Sequence, residues 1–352
     1  MRRTLVLPGC VAGAMIATAA ISGCSSPSSS SAATGGGTAA KTTITIGLPN
    51  SAPSFANSDV AVAQAEGYFA KEGLNVQVSN LSSGVPVVQG VVGGSLNIGA
   101  SSIEPVVNAA SQGAPIQIVG SYANKLTVNM VTPKTITSPA QLRGKRLGIQ
   151  QVGAFREVMT RIVIEGAGLT TSDVSYVPSS SSAYISELLA GEISSGVLQE
   201  EQTLTALRKD SQLHVLVNYE QAQPDYFYGT YIASKSWLAG HQATLQKFLT
   251  AITTAHRFMY QDKAATVAIV AKNTGDSSAT IAAAYDVLLT GEGVFPLNSG
   301  LSLDRISATI ATMKKYKILT GTAPALSSLV NTGPVDAVIS QLGPATDTNQ
   351  SE

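Results

Sequence analysis

Asn80–Pro105 reads NLSSGVPVVQGVVGGSLNIGASSIEP, and the fold is decided here. A Ser/Gly loop opens a short helix, Gly93-Gly94 breaks it, a short strand follows, and a second polar loop opens another helix. Leu96, Ile98 and Ala100 alternate with Asn97 and Gly99, the period of two that marks a strand. Ser101 and Ser102 then stand where helix-capping residues belong. In a parallel α/β sheet such loops lie at the carboxyl ends of the strands, where ligands bind. Helix N-termini there present unpaired N–H groups with a partial positive charge, suited to an anion or a strong acceptor.

The same order of events returns 97 positions later. Gly191, Ile193, Ser195, Leu198 and Gln199 align with Gly94, Leu96, Ile98, Ser101 and Ser102. At that offset Tyr184, Ile185, Leu188 and Leu189 match Val87, Val88, Val91 and Val92, one apolar helix face in each copy. Ser179 and Ser180 match Ser82 and Ser83. Helix face, break, strand and loop recurring together predict two similar α/β lobes, each offering polar residues at strand ends.

The chain opens with the basic Met1-Arg2-Arg3, an apolar, small-residue stretch from Leu5 to Ile21, and Ile21-Ser22-Gly23-Cys24. Basic region, apolar region and small residues in this order form a secretory signal over residues 1–23. An aliphatic residue, two small ones and a Cys resemble a bacterial lipoprotein signal, which implies cleavage before Cys24 and lipid on its sulfur. The alternatives are a plain signal peptide or an uncleaved anchor with Cys24 incidental. Export by the Sec or the twin-arginine route is left open. Cys10 falls within the removed segment, so the mature chain keeps one Cys and neither disulfide nor thiol nucleophile is expected. Residues 24–41 are a Ser/Gly/Ala tether with nothing to bury, and 346–352 a polar tail. Without Arg2 and Arg3 the 22 basic side chains become 20 against 22 acidic ones, about −2, which argues against a nucleic-acid partner.

The body begins with a strand at Thr42 to Leu48, and Pro49, Asn50, Ser51 and Pro53 form a ligand-facing loop at its end. A helix is expected from about Ser58 through Lys71, stopped by Gly73 in a left-handed conformation. Glu66 to Val76, EGYFAKEGLNV, resembles a motif of solute-binding proteins from ABC importers for nitrate, sulfonates and taurine. That family also includes binders of pyrimidine thiamine precursors. GGSLNIGASS, GAPIQIVGSY (113–122), LRGKRLGI (142–149), REVMTRIVIEGAGL (156–169) and VLQEEQ (197–202) follow in the family's order. The resemblance covers roughly Thr42 to Tyr260. It implies an α/β, periplasmic-binding-protein-like fold, with two α/β lobes of mixed or parallel sheets joined by a two-strand hinge. The crossings are placed at about Leu126–Val131 and Tyr228–Ser234, extended segments that border the repeats. Lobe 1 is then 42–127 plus 233–345, and lobe 2 is 128–232. The C-terminal part reads as helices at Thr244–Tyr260, Lys263–Lys272, Ala279–Leu289 and Asp304–Lys315.

Ligand contact is expected from Asn50, Ser51, Ser82, Ser83, Ser101, Ser102, Gln151, Gly153, Ala154, Phe155, Gln199, Glu200 and Tyr228. The backbone N–H groups of Ser83, Ser102 and Gly153 to Arg156 can cradle an anion. Arg156 either adds a bidentate partner or faces solvent. Arg143-Gly144-Lys145-Arg146 lies at the amino end of a strand and reads as a solvated edge. Glu200-Glu201 point in different directions, so at most one faces the ligand; strand phase aligns Glu200 with Ile103. Tyr226, Phe227, Tyr228 and Tyr231 concentrate aromatics in a chain with 5% of them, to stack on a ligand ring or to pack between lobes.

His214, His241 and His256 are scattered without a second ligand at metal spacing, and His256, next to Arg257, reads as helix surface. No G-x-S-x-G elbow, phosphate loop or Cys/His pair occurs. Neither enzyme activity, nor metal, nor cofactor is expected. The function expected is a lipid-anchored, extracytoplasmic, monomeric solute-binding protein that captures a small organic anion of the sulfonate, taurine or nitrate type and delivers it to an ABC permease and ATPase. The alternatives are a heteroaromatic or aromatic solute (a pyrimidine thiamine precursor, a flavin, phthalate), a pyrimidine-synthesis-like enzyme, and a sensor that signals to a membrane receptor.

Overall fold

The computed structural model describes residues 41–346. Cys24, the signal segment 1–23, all of the tether but Lys41, and the tail beyond Thr346 lie outside the described residues. The first lobe opens with β1 (Thr42–Leu48), a 3₁₀ turn at Phe55–Asn57, α1 (Ser58–Ala65), α2 (Tyr68–Lys71) and β2 (Leu74–Asn80). Then come α3 (Gly84–Val92), β3 (Ile98–Ser102), α4 (Ile103–Ser111) and β4 (Ile116–Ala123). The helix expected over Ser58–Lys71 is interrupted because Gly67 turns left-handed (φ 70°), and Gly73 (φ 71°) ends α2 as expected.

The second lobe comprises β5 (Val128–Pro133), β6 (Arg146–Ile149), α5 (Phe155–Gly166), β7 (Ser175–Pro178) and α6 (Tyr184–Leu189). β8 (Ser195–Gln199), α7 (Glu200–Lys209), β9 (Leu213–Asn218) and α8 (Tyr219–Ala222) complete it. The chain then returns to the first lobe through β10 (Gly229–Ser234). After it come α9 (Lys235–Gln261), α10 (Lys263–Thr274), α11 (Ser278–Tyr285), a π-helical turn at Asp286–Glu292, α12 (Leu303–Lys315), α13 (Leu326–Leu329) and α14 (Gly333–Leu342).

The two sheets share one plan, β2-β1-β3-β10-β4 and β7-β6-β8-β5-β9. β1 pairs parallel with β2 and β3, and β6 with β7 and β8. The fourth strand of each sheet is antiparallel to both neighbours: β10 between β3 and β4, β5 between β8 and β9. Each of these strands is made by the chain just after it has crossed between lobes. The crossings themselves are Asn124–Thr127 and Gln223–Tyr228. Both lie upstream of the segments expected from sequence, because LTVNMV and YGTYIAS are mostly sheet strands. A boundary at Ile232/Ala233 would cut β10, in which both residues pair with the first sheet.

β3 and β8 are buried along their whole length, as central strands covered by helices on both faces should be. Gly99 in β3 and Gly196 in β8 occupy the same repeat position. A Cβ on Gly99 would stand 2.6 Å from Val87 and 2.9 Å from Val91; on Gly196 it would stand 3.0 Å from Tyr184. These glycines let α3 and α6 approach their sheets.

His256 corrects the expectation of a helix-surface residue. It is 2% exposed, with Nδ1 at 2.9 Å from the Pro296 carbonyl and Nε2 at 3.0 Å from Asp59 Oδ2. The Tyr231 hydroxyl donates to the same Asp59 oxygen at 2.6 Å. The segment after the π turn covers this face, and nothing local in HRF signals it. The C-terminal helices also differ from expectation: α9 begins at Lys235 and bends at His241, and α11 gives way to the π turn at Asp286.

Gly99→Val should overpack the α3–β3 contact and lower unfolding free energy by about 1–3 kcal/mol. Gly196→Val, with more room, should lower it less. Urea denaturation of the two variants checks the order; equal losses would mean that the close approach does not set the tolerance.

Candidate functional site

The carboxyl ends of the two sheets face each other, and polar groups join them. Ser51 Oγ lies 2.9 Å from Ser181 Oγ, and Ser83 Oγ donates to Gln151 Oε1 at 3.3 Å. Gln150 Nε2 donates to the Ser82 carbonyl at 3.1 Å. The Phe55 N–H donates to Glu201 Oε1 at 3.3 Å. Behind these contacts the hinge closes the site with rings. Phe155 lies 4.5 Å from Tyr228 between ring centroids, and Tyr122 meets Tyr228 edge-on at 5.6 Å. Gln199 Nε2 donates to the Tyr228 hydroxyl at 3.1 Å, while Gln199 Oε1 accepts from Thr127 at 2.7 Å.

Seven of the expected residues fall into two sets. Ser51, Ser82, Ser83 and Gln151 meet across the lobes, and Phe155, Gln199 and Tyr228 form the hinge wall. Others are occupied within their own lobe. Asn50 Nδ2 donates to Ser54 and Asn57, Ser101 Oγ to the Ser102 carbonyl, and Glu200 Oε2 accepts from Asn129 at 2.7 Å. Arg156 is neither at the surface nor free. It is 1% exposed, donates to the Val197 carbonyl and to Gln202 Oε1, and lies over the Tyr184 ring at 4.6 Å.

Several backbone donors expected to cradle an anion are already paired. The Gly153 N–H donates to Glu157 Oε2 at 3.1 Å and the Ala154 N–H to the Gln151 carbonyl at 3.1 Å. The Ile103 N–H opening α4 donates to the Tyr228 carbonyl at 3.0 Å, and the Glu200 N–H opening α7 to the Thr127 carbonyl at 3.1 Å. Ile103 and Glu200 are 97 residues apart, so each crossing segment caps the equivalent helix.

One residue further along that repeat stand Glu104, which sequence reasoning missed, and Glu201, which it set aside in favour of Glu200. Both are buried, and each has one carboxylate oxygen without a partner: Glu104 Oε1 accepts the Tyr226 hydroxyl at 2.5 Å while Oε2 stays free, and Glu201 Oε2 stays free while Oε1 reaches across the lobes. Ser102 Oγ, the Tyr122 hydroxyl and Asn57 Nδ2 are likewise buried and unpartnered. Buried polar groups are ordinarily paired, so such a set at one lobe junction marks where another molecule or water completes the bonding. Applying the 97-residue offset two positions past Ser102 and Gln199 would have found both acids.

Burial pushes the Glu201 carboxyl up to about 7; Asp276 adds to the rise, while the N–H of Phe55, that of Glu201 itself and the Arg156 charge oppose it. Burial also raises Glu104, opposed by the Tyr226 hydroxyl that donates to it. Between an ordinary carboxyl pKa and about 7 the folded protein keeps a Glu201 proton that the unfolded chain has released. Stability must therefore fall as pH rises through that window, by about 1.4 kcal/mol for each pH step of one across it. Glu201→Gln should raise the melting temperature at pH 8 and flatten its decline from pH 5 to 8. Glu292, also pushed up to about 7 by burial and by Glu220 and Glu200, keeps its own share of the slope. A variant as pH-sensitive as the parent protein contradicts the assignment.

The NMT1/THI5-like family profile matches residues 55–265. The chain is 31% identical over 163 residues to the taurine-binding periplasmic protein of Escherichia coli (strain K12), covering 46% of this chain and 49% of that one. It is 24% identical over 217 residues to the 4-amino-5-hydroxymethyl-2-methylpyrimidine phosphate synthase of Uromyces fabae, covering 58% and 63%. The chain thus spans from about half to just under two thirds of these relatives' lengths. In three dimensions it is similar to the alkanesulfonate-binding protein SsuA from Xanthomonas axonopodis pv. citri bound to MOPS. The TM-score is 0.70 at 18% identity, over 84% of this chain and 100% of that one. The fold is that of the periplasmic binding proteins. With the family match covering more than half of its length, the chain belongs to the NMT1/THI5-like family.

Proposed function

We propose that the protein is an extracytoplasmic solute-binding protein, anchored by lipid on Cys24, that closes its two lobes over a small organic solute and hands it to the permease and ATPase of an ABC importer. One observation carries this reading: partnerless buried polar atoms from both lobes sit at the junction where the sheet ends face each other. Two crossings between lobes suit a hinge, and a closed form that gains solute contacts is what makes binding shift the equilibrium. The taurine-binding and alkanesulfonate-binding relatives support a solute of the sulfonate or taurine type. Among the described residues no helix is long and apolar enough to cross a membrane.

The synthase relatives favour a second reading, an enzyme acting on a pyrimidine precursor. The histidines such chemistry would use are engaged elsewhere: His214 with the Ile136 carbonyl, His241 with the Trp237 carbonyl, His256 with Asp59. Binding without turnover is the better fit.

The direct test is a thermal-shift screen of the body from Lys41, with taurine, alkanesulfonates, nitrate, bicarbonate, phthalate, pyrimidines and flavins. A true solute at 100 times its Kd should add about 2.7 kcal/mol. Tyr228→Ala, which removes the ring packed on Phe155, should reduce that gain. Absence of any shift across the panel, or consumption of a pyrimidine precursor by the protein, would overturn the solute-binding reading.

A further inference from the structure

The lobe junction holds two unpaired acceptors on buried acids, beside unpaired hydroxyls and an amide nitrogen. Glu201 and Glu104 each leave a carboxylate oxygen without a donor, and both side chains are nearly or wholly buried. Several donors that could serve a bare anion are committed: the N–H groups of Gly153, Ala154, Ile103 and Glu200 to protein acceptors, and Arg156 to Val197 and Gln202. A buried carboxylate oxygen without a donor costs about 1–3 kcal/mol or more, and a donor carried by the solute recovers that cost.

We propose that Glu201 anchors a basic nitrogen of the solute, which makes the solute an ammonium- or amidine-bearing organic molecule. This rests on the solute-binding reading above and narrows it. Glu201 is placed for the task by three features. Its Cα lies in the first turn of α7, which stabilises a carboxylate. Its Oε1 takes the Phe55 N–H from the opposite lobe, which fixes the side chain when the lobes are together. Its Oε2 remains for the solute. A cationic nitrogen there offsets the cost of burying the carboxylate, since a charge-assisted hydrogen bond is about twice as strong as a neutral one. The Ser102 and Tyr122 hydroxyls and Asn57 Nδ2 are left to bind the polar remainder of the molecule. The Phe155–Tyr228 wall is available to a ring or an alkyl chain.

Matched pairs of probes separate the nitrogen from the rest of the molecule. Taurine and isethionate share a sulfonate and differ in ammonium against hydroxyl; benzamidine and benzamide share a ring and differ in amidinium against amide. Calorimetry on the full chain at pH 8 should give the nitrogen-cation member of a binding pair a Kd lower by about tenfold or more. Glu201→Gln, which keeps an acceptor for Phe55, should bring the two members to within about threefold of each other. Equal or tighter binding of isethionate or benzamide to the unaltered protein overturns the proposal, and so does a preference that survives Glu201→Gln. Should neither pair bind while another screened compound does, the proposal stands only if that compound carries a basic nitrogen and loses affinity in Glu201→Gln. Should nothing bind at all, the solute-binding reading falls with it.

Discussion

Two hydrogen bonds tie the fold to its site: the Ile103 N–H to the Tyr228 carbonyl and the Glu200 N–H to the Thr127 carbonyl. Each joins the first residue of a helix to the last residue of a crossing, one position before that crossing enters the opposite lobe as the antiparallel fourth strand. The chain therefore cannot complete either sheet without crossing, and cannot cross without occupying a helix N-terminus. An N-terminus filled by backbone no longer offers its first N–H to a ligand. The groups left without partners at the junction are side chains: carboxylates, hydroxyls and an amide.

Those side chains carry an energetic penalty while they stand unpaired. Glu201 is desolvated with half of its carboxylate unpaired, and its raised pKa expresses that. The inter-lobe contacts include neutral pairs such as Ser51–Ser181 and Ser83–Gln151, and charged ones: Arg208 donating to Thr280, the Phe55 N–H donating to Glu201, and the Arg305–Glu220 ion pair at 3.9 Å. Neutral hydrogen bonds contribute about 1 kcal/mol each, the same order as the penalty of a single unpaired acid. In the proposed function, a molecule that pairs the free groups would add to these contacts and favour the closed form.

Much of this is legible in the chain. The 97-residue offset locates β3 against β8 and α4 against α7, and the EGYF-x-x-EGL-x-V motif places Gly67 and Gly73 where left-handed turns occur. Ser83, in the polar loop that opens α3, caps that helix by accepting from the Val85 N–H. What stays hidden depends on contacts between residues far apart in sequence. Asp59 and His256 are 197 positions apart, Arg156 and Val197 are 41, and neither burial is marked by local periodicity. Glu201 shows the same limit within a single turn of helix. Strand phase points to Glu200, but Asn129 from β5 takes that side chain inward and Glu201 is the one that reaches Phe55.

If solute closes the two lobes by completing the bonding at their junction, binding must change the separation of the lobes. Asn80 and Ser180 are exposed, each at the carboxyl end of an edge strand or in the loop just after it, one on each lobe. The distance between spin labels at these two positions is the most direct measurement. It should be long or broadly distributed without solute, and shorter and narrow once solute is added. A distribution that is unchanged by a solute shown to bind would contradict closure as the mechanism.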